Sequence, residues 1–302
     1  MSPTLRACLW MLGAIFSFTA MAVAGRELGG TFDTFEIMMW RSLFGVIVVL
    51  IVASAAGTLW QIGTGALGTH VFRNIFHFTG QNLWFYAVTA VPLAQVFALE
   101  FTTPLWVIVL SVFLLSERLT LVRALSALMG FVGILIVARP DMAGLNAGLL
   151  AAAGSAVFFA LTYVFTKRLT RTQSLTAIMF YLTFLQLVLG VIAAGYDGDI
   201  ALPTAVDMPW LMTVAVCGLL AHTCITKALA LAPAAVVAPI DFARLPLIAL
   251  VAMVLYNEAL DPWVFVGALV IFAGNYLNIW SETRKDARTG SPAQVSYPRN
   301  EG

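Results

Sequence analysis

The sequence predicts an all-α polytopic membrane protein of ten transmembrane helices, arranged as two inverted five-helix repeats. Three observations carry that prediction. Of 302 residues, 61% are hydrophobic and 10% charged, with a mean hydropathy of +0.94, whereas soluble domains run at about 45–50% apolar and about 25% charged. Residues of the first half recur in the second at a constant offset of 141. Pro92 matches Pro233, Glu100 matches Asp241, Glu117 matches Glu258 and Gly133 matches Gly274. Without a gap, Gly13 matches Gly154, Arg26 matches Lys167, and Ile37-Met38 matches Ile178-Met179. One offset held along a chain marks a duplication, here residues 1–141 and 142–281, followed by a charged tail, 282–302, read as disordered for want of apolar periodicity. Finally, apolar runs of about 20 residues, enough for a bilayer, number five per half. An odd number turns the second unit upside down, a plan common among transporters.

The runs lie near 6–25, 35–56, 68–89, 93–115, 121–138, 145–165, 174–194, 208–230, 236–256 and 262–280. In helix one, Gly13, Ser17 and Thr19 allow close approach of neighbouring backbones. Arg6 and Ala22-Val23-Ala24 imitate a signal peptide. The matching helix lies mid-chain, so helix one is expected to be retained. Helix two carries Trp40 and Arg41, the latter two turns from the outer end. A buried Arg requires a partner, a wet cavity, or a snorkelling path to the headgroups.

Helix three places His70, Arg73, Asn74, His77, Gln81 and Trp84 on one face. Such a stripe cannot face lipid. It lines a cavity or forms a hydrogen-bonded seam with another helix, and the cavity is the favoured expectation. Its counterparts Leu211, Val214, Ala215 and Gly218 are apolar or lack a side chain, with only His222 polar, so whatever the stripe binds is bound mostly by the first half. Helix four presents Glu100, Thr103 and Pro104, a Pro that permits a kink. Helix five, with Gly130 and Gly133, reads as structural.

At the start of helix six, Gly144, Gly148 and Ala152 make a small-residue ridge suited to internal packing or, less so, to a dimer seam. A monomer or weak homodimer is expected. Tyr163 and Tyr181 read as interface anchors. His222 and Thr226 in helix eight can reach a cavity, and Asp241 and Arg244 in helix nine, three apart, can pair. Counting the helical rise along straight spans puts Glu100 about 10 Å below the outer interface and Asp241 slightly less above the inner one. They are therefore expected at opposite mouths of one cavity, with Arg41 near Glu100 and Arg73 near Asp241.

Lys and Arg set the orientation. With the N-terminus inside, Arg6, Arg118, Arg123, Lys167, Arg168, Arg171, Arg284, Lys285, Arg288 and Arg299 are cytoplasmic, while Arg26 and Arg139 lie outside with Asp197, Asp199 and Asp207. Both termini are then cytoplasmic, as expected in a bacterial inner membrane. A net charge of +1 offers no surface for nucleic acid. Cys8, Cys217 and Cys224 have neither disulfide nor zinc spacing. No cofactor or metal site is expected. No His-Glu-x-x-His or Gly-x-Ser-x-Gly motif suggests an enzyme, and no Walker-type loop suggests ATP-driven pumping.

Phe35-Glu36 with Arg41, Pro92, Pro104, Glu117-Arg118-Leu119-Thr120, Gly130 and Gly133 resemble the drug/metabolite transporter superfamily, in particular bacterial ten-helix proteins with two EamA domains. In the second half Ala232-Pro233, Ala238-Pro239 and Glu258 carry the same resemblance. It implies a basket of helices one to four and six to nine around a central cavity, with five and ten outside, and alternating access to small polar metabolites. Phe35-Glu36, Arg41, His70, Val71 and Arg73 look most like the branch of S-adenosylmethionine and riboflavin carriers. The resulting expectation is a secondary transporter of a planar heteroaromatic metabolite, riboflavin first, with S-adenosylmethionine or an amino acid as alternatives. Trp40, Phe72, Phe76, His77, Trp84 and Phe97 are available for stacking. The expected cavity residues are Trp40, Arg41, Arg73, Asn74, His77, Gln81, Trp84, Glu100, His222, Asp241 and Arg244.

Overall fold

A computed structural model describes residues 2–115, 120–138, 146–196 and 198–257, and a scattered set between 262 and 284. The chain forms α1 (Pro3–Leu28), α2 (Thr34–Ala55), α3 (Leu67–Ala90), α4 (Leu93–Glu100), α5 (Thr103–Leu115), α6 (Leu121–Ala138), α7 (Ala147–Leu169), α8 (Leu175–Ala194), α9 (Met208–Leu231), α10 (Ala234–Ile240) and α11 (Arg244–Tyr256). No strand occurs among the described residues. Glu117, Arg118, Arg139, Asp197, Glu258, part of the predicted tenth helix and the tail from Lys285 lie outside them.

Five helices, α1, α2, α7, α8 and α9, are long and apolar enough to cross a bilayer, and α5, most of α6, and α11 are shorter apolar helices. This is a multi-pass membrane protein. Helix α3 is as long, at 24 residues, but its polar stripe lowers its hydropathy. The stripe is admissible because it is turned inward: His70, Arg73, Asn74, His77, Gln81 and Trp84 are all buried.

Packing follows the duplication. Helix α1 lies along α9, and their counterparts by the 141 offset, α7 and α3, lie along each other. Helix α2 packs on its own counterpart, α8, across a close contact. A methyl group on Gly190 would stand 2.9 Å from the Met39 Cα, so glycine is what lets the two backbones meet. Of the expected small-residue ridge, Gly148 and Ala152 face inward, since a methyl on Gly148 would meet Val91 Cγ1 at 2.8 Å and Ala152 is buried, while Gly144 lies outside the described residues. Capping is local: Asp33 and Glu36 close a reciprocal capping box on α2, and Asn146 and Ser174 cap α7 and α8. Before α9, the Thr204 amide and hydroxyl donate to Asp207. These bonds hold its carboxyl below the usual carboxylate range.

Predicted helices four and nine are each broken. Pro104 has no N–H for the carbonyl of Glu100. The Thr103 hydroxyl donates to that carbonyl instead, at 2.5 Å, and the ladder restarts as α5. In the second half a 3-10 turn, Asp241–Ala243, separates α10 from α11, ending three residues ahead of Pro246. Helix α4 packs against α11 and α10 against α5. The two broken helices therefore run antiparallel, with their breaks side by side.

Candidate functional site

Glu100 ends α4, Asp241 opens the 3-10 turn and Arg244 begins α11, so the facing breaks gather three charges. Arg244 Nη2 donates to Glu100 Oε1 at 2.5 Å and to Asp241 Oδ2 at 2.6 Å. Glu100 Oε2 accepts the indole N–H of Trp84 at 2.6 Å. The rings of Phe18, Phe97 and Phe101 flank the guanidinium, 5.0, 4.9 and 5.4 Å from centroid to Cζ, within cation–π range. Arg244 Nε and Asp241 Oδ1 are buried without hydrogen-bond partners. The cluster sets two carboxylates against one guanidinium.

This overturns the expectation that Glu100 and Asp241 guard opposite mouths. That depth count assumed straight helices normal to the membrane. The breaks instead lie where two equivalent, antiparallel helices cross, and equivalent positions near such a crossing become neighbours. Arg41 and Arg73 are partners of neither carboxylate: Arg73 donates from Nε to the Thr166 hydroxyl at 3.1 Å and from Nη1 to Asn74 Oδ1 at 3.3 Å.

The cluster opens on a cavity whose non-atom space, open solvent included, is about 680 Å³. Of the predicted residues, His77, Gln81, Trp84, Glu100, His222, Asp241 and Arg244 line it. Nε2 of His77 and Nε2 of His222 are 2.9 Å apart, one donating and the other accepting, which joins α3 to α9 across the repeats. Arg41 lies in the wall of a smaller recess of about 230 Å³, which shares His222 with the main cavity.

Helix α3's stripe divides in two. His77, Gln81 and Trp84 face the cavity. Arg73 and Asn74 form a seam: the Asn74 amide donates to the His70 carbonyl at 2.8 Å, and Gln186 of α8 donates to the Asn74 carbonyl at 2.8 Å. Trp40 also stands outside the cavity wall. Its indole N–H donates to the Ala201 carbonyl at 3.1 Å, while Glu36 Oε1 accepts the Ala201 N–H at 2.5 Å. Together they fasten the α8–α9 connection to α2. Of the proposed stacking residues, Phe72 is exposed and Phe76 packs on Phe158 and Phe165.

Helix α7 supplies wall residues that the sequence reading passed over. Phe159, Thr162, Tyr163 and Thr166 line the cavity. Their spacing of i, i+3, i+4 and i+7 is the helical-face signal, muted by the weak polarity of Thr and Tyr. Tyr163 is thus a cavity residue, and Tyr181 is not an interface anchor either. It is buried, donates to the Gly63 carbonyl at 3.3 Å and stacks near His70 at 4.3 Å.

Residues 5–139 and 146–280 each match the EamA-like transporter family, and the two matches are displaced by the offset read from the sequence. An S-adenosylmethionine uptake transporter of Rickettsia bellii is 27% identical over 277 residues, covering 91% of this chain and 94% of that protein. A riboflavin transporter of Vibrio cholerae is 27% identical over 292 residues, covering 94% and 96%. A riboflavin transporter of Brucella anthropi is 28% identical over 290 residues, covering 94% and 100%. A chain of known crystal structure, 19% identical, superposes with a TM-score of 0.69 over 94% of this chain and 99% of its own, which shows a common fold.

Proposed function

The chain belongs to the EamA-like transporter family, and we propose that it is a secondary transporter carrying a small polar, planar heteroaromatic metabolite across the bacterial inner membrane by alternating access. The observation that carries this reading is the walled cavity at the two helix breaks, built from both repeats and combining aromatic rings with unpaired polar atoms. Broken helices are where transporters of this kind expose backbone and charge to substrate. Relatives named for riboflavin and for S-adenosylmethionine, at 27% identity each, support that substrate class, and both molecules carry a flat heteroaromatic system.

In this reading Trp84, Phe101 and Phe159 pack against the flat part of the substrate, while His77, Gln81, His222, Glu100, Asp241 and Arg244 orient its polar groups. Arg73 and Asn74 hold α3 against α7 and α8, and Trp40 holds the α8–α9 connection. Residues 1–141 and 142–281 rock against each other around the cavity, with both termini cytoplasmic. A riboflavin-requiring strain without its own importer should grow on low riboflavin when it expresses this chain, and cells should accumulate labelled S-adenosylmethionine if that is the cargo. Failure of both, with the protein confirmed in the membrane, overturns the assignment.

A further inference from the structure

The charges of the site are unevenly distributed. Around Arg244 two carboxylates share one guanidinium. On the far side of the His77–His222 pair the imbalance is reversed. Arg41 is buried, its Nη1 has no hydrogen-bond partner, and no carboxylate pairs with Arg41 or Arg73 among the described residues. Arg41 shares a wall with His222, and Arg73 bonds to Thr166, which lines the main cavity with His77 and His222. A buried Arg is costly even when paired, and two like charges without an anion are costlier still.

The recess beside Arg41 is small and walled partly by polar groups. Ser42 Oγ, also without a partner, and Thr183 share its wall with Arg41 and His222. Gly218, the counterpart of His77 by the 141 offset, leaves the space open: a methyl there would stand 3.8 Å from Arg41 Nη1. Where the first repeat has a ring, the second has room in front of a guanidinium. His222 belongs to both walls, which places the recess directly beside the main cavity.

We propose that Arg41, with Ser42 beside it, receives an oxyanion of the transported molecule, a carboxylate or a phosphate. The proposal rests on the transporter reading above and narrows its substrate class to metabolites that join a heteroaromatic system to an anionic group. A guanidinium and an oxyanion form the stronger, charge-assisted kind of hydrogen bond, often bidentate, and binding supplies the counter-charge that the empty recess lacks.

Two matched ligand pairs test this on the purified full-length protein. S-adenosylmethionine and its decarboxylated analogue differ by the carboxylate, and flavin mononucleotide and riboflavin differ by the phosphate. Wild-type protein should bind the anionic member of one pair about 10- to 100-fold more tightly, the range for a hydrogen bond between charged groups. The pair that discriminates identifies the oxyanion. Arg41→Gln should reduce that preference to about twofold or less, and Arg41→Lys should keep part of it. Because the ligand-free Arg41 is a buried charge without an anion, Arg41→Gln should melt no lower than wild type, which a structural ion pair would not allow. Equal binding of both members by wild type, or a preference that survives Arg41→Gln, overturns the oxyanion site while leaving transport intact. Binding of none of the four overturns the transporter reading itself.

Discussion

Replacing Arg244 with glutamine should be the most damaging single substitution at the helix breaks. The guanidinium is buried, 2% exposed, and its Nη2 meets both Glu100 and Asp241. Removing one partner of a buried ion pair typically costs about 3–5 kcal/mol. Here the loss leaves two carboxylates facing each other, so the cost should reach the upper end of that range. Glu100→Gln has the opposite character. It leaves Asp241 and Arg244 as a one-to-one pair, and its amide oxygen can still accept the Trp84 N–H. The loss of charge assistance, about 1–2 kcal/mol, is offset by removal of the surplus negative charge, so the net change should stay within about 1.5 kcal/mol. The test is a double-substitution cycle in detergent micelles, with unfolding followed by circular dichroism. In the Arg244→Gln background, Glu100→Gln should stabilise by about 1–3 kcal/mol, unlike its near-neutral effect beside Arg244, because contacting charges are not additive. If Arg244→Gln proves no worse than Glu100→Gln, or Glu100→Gln destabilises equally in both backgrounds, Arg244 does not neutralise the two carboxylates.

Three further outcomes follow from the same geometry. Trp84→Phe removes the donor 2.6 Å from Glu100 Oε2 and should lower stability by about 1.5–3 kcal/mol; a change below about 0.5 in the same unfolding assay would mean that this bond is not made. Gly190→Ala forces a methyl to within 2.9 Å of the Met39 Cα and should cost about 1–3 kcal/mol, whereas Gly154→Ala, with Leu83 Cδ1 at 3.4 Å, should be tolerated. Equal melting temperatures for these two variants would contradict the close α2–α8 contact. Asn74→Ala should lower stability yet leave ligand affinity per folded molecule unchanged, and His77→Ala should do the reverse; exchange of those two patterns would move the cavity wall onto the seam.

Much of this architecture is legible in the chain because the bilayer and the duplication act on every residue. Composition alone places the chain in a membrane, and the offset from Pro92–Pro233 to Gly133–Gly274 is also the displacement between the two family matches. The inward turn of α3's face follows from the cost of exposing Arg73, Asn74 and His77 to lipid. What periodicity could not supply was the partner of each side chain. Asn74 meets Gln186 across 112 positions and Arg244 meets Glu100 across 144, contacts set by how helices cross and not by local pattern. The depth count for Glu100 and Asp241 fails because it treats each span as one straight helix, whereas the ladder stops at Glu100 and restarts as α5 just before Pro104. Tyr163 was assigned to the interface because aromatic residues near helix ends usually anchor there, while its neighbours Thr162 and Thr166 were too weakly polar to mark an inward face.

Counterflow into proteoliposomes tests the central claim most directly. Vesicles preloaded with unlabelled riboflavin or S-adenosylmethionine should draw in the same molecule in labelled form for at least one of the two, and His77→Ala should reduce that exchange at least about tenfold, since it removes the bond joining α3 to α9 across the cavity. No exchange of either molecule by folded, inserted protein, or exchange undiminished by His77→Ala, would contradict a transporter that works through this cavity.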